Sequence, residues 1–117
     1  MKTVQLEVLK SEGWVTLGIE LDVADRMWLR LKGLLGSTNL PEQQGILLKP
    51  CNQIHTFGMK YPIDVLFMDR SCRVKKVVHS LAPGRMAGSW AAISAIEVAS
   101  GVVDAKGVHL GDKLRWL

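Results

Sequence analysis

Residues 62–79 read PIDVLFMDRSCRVKKVVH, and this stretch decides the fold class. Pro62 opens the run, a position where the missing N–H of proline costs nothing. Ile63 to Met68 is apolar on both sides of a two-residue repeat, except that Asp64 falls on the face of Leu66 and Met68. Arg70-Ser71 is a turn signal, and Cys72 to His79 resumes as a second strand. Two strands joined by so short a turn run antiparallel, because a parallel pair needs a long crossover.

Outward from this hairpin the same reading repeats. Lys2–Leu9 places Val4, Leu6 and Val8 on one face, and residues 11–13 are a turn. A second strand follows, with Val15, Leu17, Ile19 and Leu21 on one face. Gly45–Lys49, Gln53–Phe57, Ile93–Ala99 and Lys113–Trp116 read as further strands, and Gly111-Asp112 as the turn before the last. Asn39–Gln44 and Ala82–Trp90 carry the prolines and glycines of loops. Only residues 23–35 hold a 3.6-residue period, through Ala24, Met27, Trp28, Leu31 and Leu35, so one short helix is expected there. Helices between the other strands are missing. The expected fold is mainly β, an antiparallel sandwich or jelly-roll-like barrel with one short helix packed on it.

The chain has 117 residues, the size of one domain, and 48% of them are hydrophobic, enough for a single core. No run approaches the ~20 apolar residues of a membrane helix. The opening MKTVQLEV alternates as a strand does, not as a signal peptide, which predicts a cytoplasmic protein. Fifteen basic against eleven acidic residues give a net charge of +4, a mild bias toward anionic partners. The basic cluster Arg70, Arg73, Lys75 and Lys76 sits at a hairpin tip without a nucleic-acid-binding motif, so nucleic acid is not expected as a partner. Cys51 and Cys72 match no zinc or redox spacing and are expected as thiols. Phosphate loops and dinucleotide fingerprints are absent, and no cofactor or metal is expected.

Residues 51–69 gather a thiol, an imidazole, a hydroxyl, a thioether and two carboxylates around Gly58 and Pro62. Along Gln53–Phe57, His55 shares a face with Gln53 and Phe57, while Ile54 and Thr56 point the other way. Glu97 lies in a run with almost no polar face, where a carboxylate is expected to be partly buried, with its pKa set by what surrounds it. Arg30, His55 and backbone amides of the glycine-rich loop are its candidate partners. Each residue has a structural alternative: a hydrogen-bonded strand histidine, a loop anchor at Asp64, an ion pair at Glu97.

The order RLKGLLG (30–36), GILL (45–48), Cys51, IHTFGM (54–59), YPIDVLFMD (61–69), a Pro83 loop, Ile96-Glu97, Gly101 and Gly111-Asp112 resembles the bacterial and archaeal family filed as domain of unknown function 192. The resemblance spans about residues 15–117, and its HTF-x-M-x-x-PID stretch is specific. It implies a compact, β-rich, jelly-roll-like domain and supplies no biochemical activity. It directs attention to His55, Thr56, Met59, Asp64 and Glu97. Many members carry a signal peptide or lipoprotein anchor, unlike the N-terminus here. The family's LELPAG pattern is IEVASG at residues 96–101, without the proline that stiffens that strand end.

The leading expectation is a cleft where His55, Thr56, Met59 and Asp64 face the Ala82–Trp90 loop. It would bind a small polar or anionic ligand, with Arg85 and Trp90 covering it. Two rival functions remain in view. One is an acid–base enzyme pairing His55 with Asp64 or Glu97. The other is a protein–protein adaptor using a sheet edge or the basic hairpin tip.

Overall fold

The computed structural model describes residues 2–24 and 39–117. In chain order the strands are β1 (Thr3–Lys10), β2 (Gly13–Ala24), β3 (Gln44–Leu48), β4 (Gln53–His55), β5 (Ile63–Met68), β6 (Val74–Leu81), β7 (Met86–Gly88), β8 (Ser94–Ala99) and β9 (Leu114–Trp116). One helical turn, α1 (Val102–Ala105), follows β8. The fold is mainly β and sandwich-like. A seven-stranded sheet has the order β6-β5-β8-β3-β2-β1-β9, and β4 and β7 form a small second sheet.

The β5–β6 hairpin turns as its sequence dictates. Asp69 is the anchor: its carboxylate accepts hydrogen bonds from the backbone amides of Ser71 and Arg73 at 2.9 and 3.0 Å and from the Ser71 hydroxyl at 2.8 Å. Those donors hold its pKa down to about 2. Cys72 takes the left-handed conformation that closes the turn, with φ 65°.

The expected fold class holds, and two details are added. The sheet is mainly antiparallel, with β2 and β3 paired in parallel, Leu21 opposite Gly45 and Val23 opposite Leu47. Residues 25–43 separate these strands, long enough for the crossover that a parallel pair requires. The sheet is not closed into a barrel. Its edge strands meet only at one end, where Arg73 bridges Lys113 and the amides of Val74 and Leu114 donate to Asp112 and Cys72. The helix expected over residues 23–35 lies outside the described residues beyond Ala24; Val23 and Ala24 themselves end β2. The strand β7, inside the expected Ala82–Trp90 loop, and the helix α1 have no counterpart in the sequence reading.

The large sheet buries its two faces differently. On one face Leu6, Leu21, Leu47, Leu66, Ile96 and Leu114 form a core together with Val102 and Val103 of α1. On the other face Ile46, Leu48, Ile63, Val65, Phe67 and Ala95 pack against Ile54 and Ala87 of the small sheet. The central strands β5 and β8 are therefore covered on both sides, which is why they read as unbroken apolar runs. Strands β1 and β2 have one wet face and alternate. On the β1–β9 edge, the Arg115 guanidinium lies 4.3 Å from the Trp14 ring centroid and Nε donates to Glu7 at 2.6 Å.

Packing is tightest at Gly45, between β2 and β8. A Cβ there would stand 2.8 Å from the Glu97 carbonyl oxygen, 2.9 Å from Leu21 Cδ2 and 3.0 Å from Val98 Cγ1. The nearest of these atoms is backbone in a paired strand and cannot yield. Gly45→Ala is expected to destabilise the fold by about 1–3 kcal/mol, the cost of overpacking a filled core. Urea unfolding of the variant against wild type checks this, and an unchanged midpoint would show that the β3–β8 ladder moves freely.

Candidate functional site

Asp64 is fully buried in β5, and its carboxylate is met by three backbone amides. Ser80 donates to Oδ1 at 2.8 Å, and Gly101 and Val103 donate to Oδ2 at 3.0 and 3.1 Å. The partners come from the end of β6 and from the start of α1, not from the Gly58–Pro62 turn. Ser80 has φ 50° and Gly101 has φ 89°, and Asp64 holds both turns at once. A buried acid needs donors, and here the backbone supplies them without a side-chain cation. This is the anchoring alternative for Asp64, realised across three segments.

Thr56 plays the same part for the small sheet. It is fully buried, and its hydroxyl donates to the Ala82 carbonyl at 2.6 Å and accepts from the Arg85 amide at 2.9 Å. Its own amide donates to the Arg85 carbonyl, and its carbonyl accepts from Met59 and Gly84. The residues of the Ala82–Arg85 turn and of the Gly58 turn thus hang on one side chain and its backbone.

The period of β4 sends its neighbours elsewhere. Ile54 is buried against the large sheet, whereas His55 faces solvent and stacks on Phe57 with centroids 5.2 Å apart. Met59 is half-buried and packs on the inner layer. Arg85 is exposed, and Trp90 is fully exposed at 101%, lying over nothing. Cys51 is buried, with Sγ donating to the Gln53 carbonyl at 3.3 Å. Among the described residues no group of three His, Cys, Asp or Glu side chains could hold a metal ion.

Glu97 has a different setting: no fully buried side-chain oxygen or nitrogen among the described residues lacks a partner, so its carboxyl keeps a narrow contact with solvent. It is 8% exposed and lies in β8 between Ile46 of β3 and Val65 of β5, on the face toward the small sheet. No hydrogen-bond or ion-pair partner reaches its carboxylate among the described residues, and neither His55 nor the glycine-rich loop does so; Arg30 lies outside those residues. Burial alone raises its pKa from the ordinary 4.5 to about 7. Asp64 pairs with Val98 and therefore projects from the opposite face of the sheet. The three candidate groups do not converge: His55 is on the outside, Glu97 between the layers, Asp64 beneath. The carboxyl without a partner was legible in the sequence as an acid in an apolar run. Tyr61, which packs on the same layer as Met59, was not singled out by any polar pattern.

Two expected outcomes follow from these environments. Asp64→Ala strands three amides and is expected to cost roughly 3 kcal/mol. Faster hydrogen exchange at Ser80, Gly101 and Val103 together would locate the loss at the clamp. For Glu97 the folded pKa lies above the unfolded one, so the native state holds the proton more tightly between pH 4.5 and 7. The contribution of Glu97 to stability thus falls as pH rises through that window and levels off above it. Glu97→Gln is expected to gain about 3 kcal/mol on wild type between pH 4.5 and pH 8, read as the difference of two denaturation series. A difference that does not change with pH would mean that the carboxyl is solvated or paired.

Among curated proteins, none matches this chain. Two solved structures share its fold. One is a protein of unknown function from Novosphingobium aromaticivorans DSM 12444, with a TM-score of 0.84 and 20% identity, the match covering 97% of this chain and 85% of that one. The other, proposed to be a transcription regulator, is from Sinorhizobium meliloti 1021, with a TM-score of 0.85 and 17% identity, covering 98% and 94%. At such identities the likeness is one of fold alone. The model of the uncharacterised family DUF192 (Uncharacterized ACR) matches residues 8–116, nearly the whole length, and the chain belongs to that family.

Proposed function

We propose that the protein is a small-ligand-binding domain whose site lies in the layer between the two sheets, centred on Glu97. The observation that carries this reading is a buried carboxyl with no partner among the described residues, set between Ile46 and Val65. Every other buried acid or hydroxyl discussed above has its donors or acceptors supplied by the fold. The Glu97 carboxyl instead keeps a narrow contact with solvent, a route by which a small ligand can reach it and supply the partner the fold does not.

The chemistry of the group selects the ligand. With a pKa near 7, Glu97 is a hydrogen-bond donor when protonated and an anion when not. A small polar ligand with an amine or amide donor satisfies both states. An anionic ligand does not, because it meets a carboxylate in a low-dielectric layer. Met59 and Tyr61 supply flexible and aromatic apolar walls to the same layer. In this reading Thr56 and Asp64 hold the frame and His55 stays outside it. Arg85 and Trp90 do not close over the site in the arrangement described.

The acid–base enzyme is less well supported, since its paired groups stand on different faces. Nucleic-acid binding is less well supported, since three of the four cations of the hairpin cluster are engaged within the fold. Arg73 donates to the Gly111 carbonyl, Lys75 pairs with Asp69, and Lys76 donates to the Gly88 carbonyl. The regulator role proposed for the Sinorhizobium protein stays with that protein. No helix of the described residues is long and apolar enough to cross a membrane.

Ligand-observed NMR with a library of small amines, amides and carboxylic acids tests the proposal. Amines and amides are expected to bind, to shift the methyl signals of Ile46 and Val65, and to lose binding in Glu97→Leu. Hits confined to acids, or hits that leave those methyls unmoved, would sink it.

A further inference from the structure

We propose that the outer face of the small sheet, built on His55, Phe57 and Met86, is a docking surface for an acidic protein segment that carries an apolar or aromatic anchor. This face is distinct from the layer around Glu97, and the inference does not rest on that site.

The face is contiguous by construction. His55 and Met86 are direct cross-strand partners, so their side chains stand on one side of the β4–β7 pair. Phe57 follows His55 by two residues and stacks on its ring at 5.2 Å. Phe57 is 51% exposed and Met86 54%, while the inward partners Ile54 and Ala87 carry the packing. Nothing in the fold requires large apolar side chains on the outside of this pair. Threonine or lysine would satisfy a wet strand face as well. An aromatic ring and a methionine clustered there supply the rigid and adaptable contacts on which interfaces depend.

The charge around the face names the partner. Residues 49–63 and 82–93, which form the small sheet and its turns, contain Lys49, Lys60 and Arg85 and no aspartate or glutamate. All three cations are exposed. Asp69, which lines a groove with Ala91 and Ile93, is engaged by its own turn and by Lys75, so the free charge of these segments is positive and favours an acidic partner. A second copy of this chain brings the same basic rim and is repelled. A membrane is less well matched, because three side chains offer little apolar area for insertion. They suit one or two anchor side chains of a peptide segment.

The test is a selection of phage-displayed random peptides on the immobilised protein, followed by fluorescence-anisotropy titration of the enriched sequences. Enriched peptides are expected to combine Asp or Glu with Phe, Trp or Leu. Their binding should weaken with added salt and fall about tenfold or more in Phe57→Ser/Met86→Ser. Arg85→Glu should weaken it likewise; its exposed side chain is not part of the Thr56 clamp, so this variant decides the matter if the double variant fails to fold. Several results would overturn the proposal: no acidic–apolar enrichment, equal binding by the variants, or co-sedimentation with phosphatidylglycerol vesicles in the absence of peptide binding. A dimer in ultracentrifugation that Phe57→Ser/Met86→Ser dissociates would likewise assign the face to self-association.

Discussion

The Asp64 carboxylate is the constraint on which this architecture depends. It is the second residue of β5 with no exposure, and its two oxygens are shared between the end of β6 and the start of α1. Left-handed backbone at Ser80 is costly for a non-glycine residue, and the amide bond to Asp64 offsets that cost. The same carboxylate fixes Val102 and Val103 against Leu66 and Ile96, so a single helical turn too short to persist alone becomes part of the core. An edge strand, a helix and the centre of the sheet are thereby tied through one side chain.

A sheet buried on both faces has few ways to place a charge. Strands β5 and β8 each contain one carboxylate, and their register sends the two to opposite sides. On the side of Asp64 the chain returns with amides exposed at a helix start and a strand end. On the side of Glu97 it returns with Ile54, Ala87, Met59 and Tyr61, whose side chains pack there as apolar surface. Two acids in similar apolar runs are thus driven to different states. One is held by backbone donors, and the other is pushed by burial to a pKa of about 7. The difference lies in what each face meets and not in the local sequence of either strand.

That distinction marks where the sequence could be read and where it could not. The β5–β6 hairpin was legible because Asp69, Ser71 and Arg73 make a turn of local hydrogen bonds, and the alternation in β1 and β2 because each has a wet face. The parallel β2–β3 pairing was not, since it is a long-range choice with no local signature. The α1 turn escaped because four residues show no period. Strand β7 escaped because Gly84 and Gly88 dominate its surroundings while its pairing comes from β4. The oddity of Glu97 was legible as an acid among apolar neighbours. Its lack of a partner among the described residues was not, because candidate partners such as His55 are separated from it by the direction of a side chain and not by sequence distance.

The dense polar stretch of residues 51–69 shows why such density is a poor measure of a site. Its members are dealt out by the two-residue period of β4 and β5. Thr56 goes inward to bind the turn at Ala82 and Arg85, and His55 goes outward onto Phe57. Asp64 goes down to α1 and Asp69 into its own hairpin. A strand cannot point neighbouring residues at one target, so a cluster in sequence becomes several separate jobs in space. What gathers side chains on one face is register between strands. By that measure the informative neighbours are the cross-strand ones: Glu97 with Ile46 and Val65 on the inner layer, His55 with Met86 on the outer.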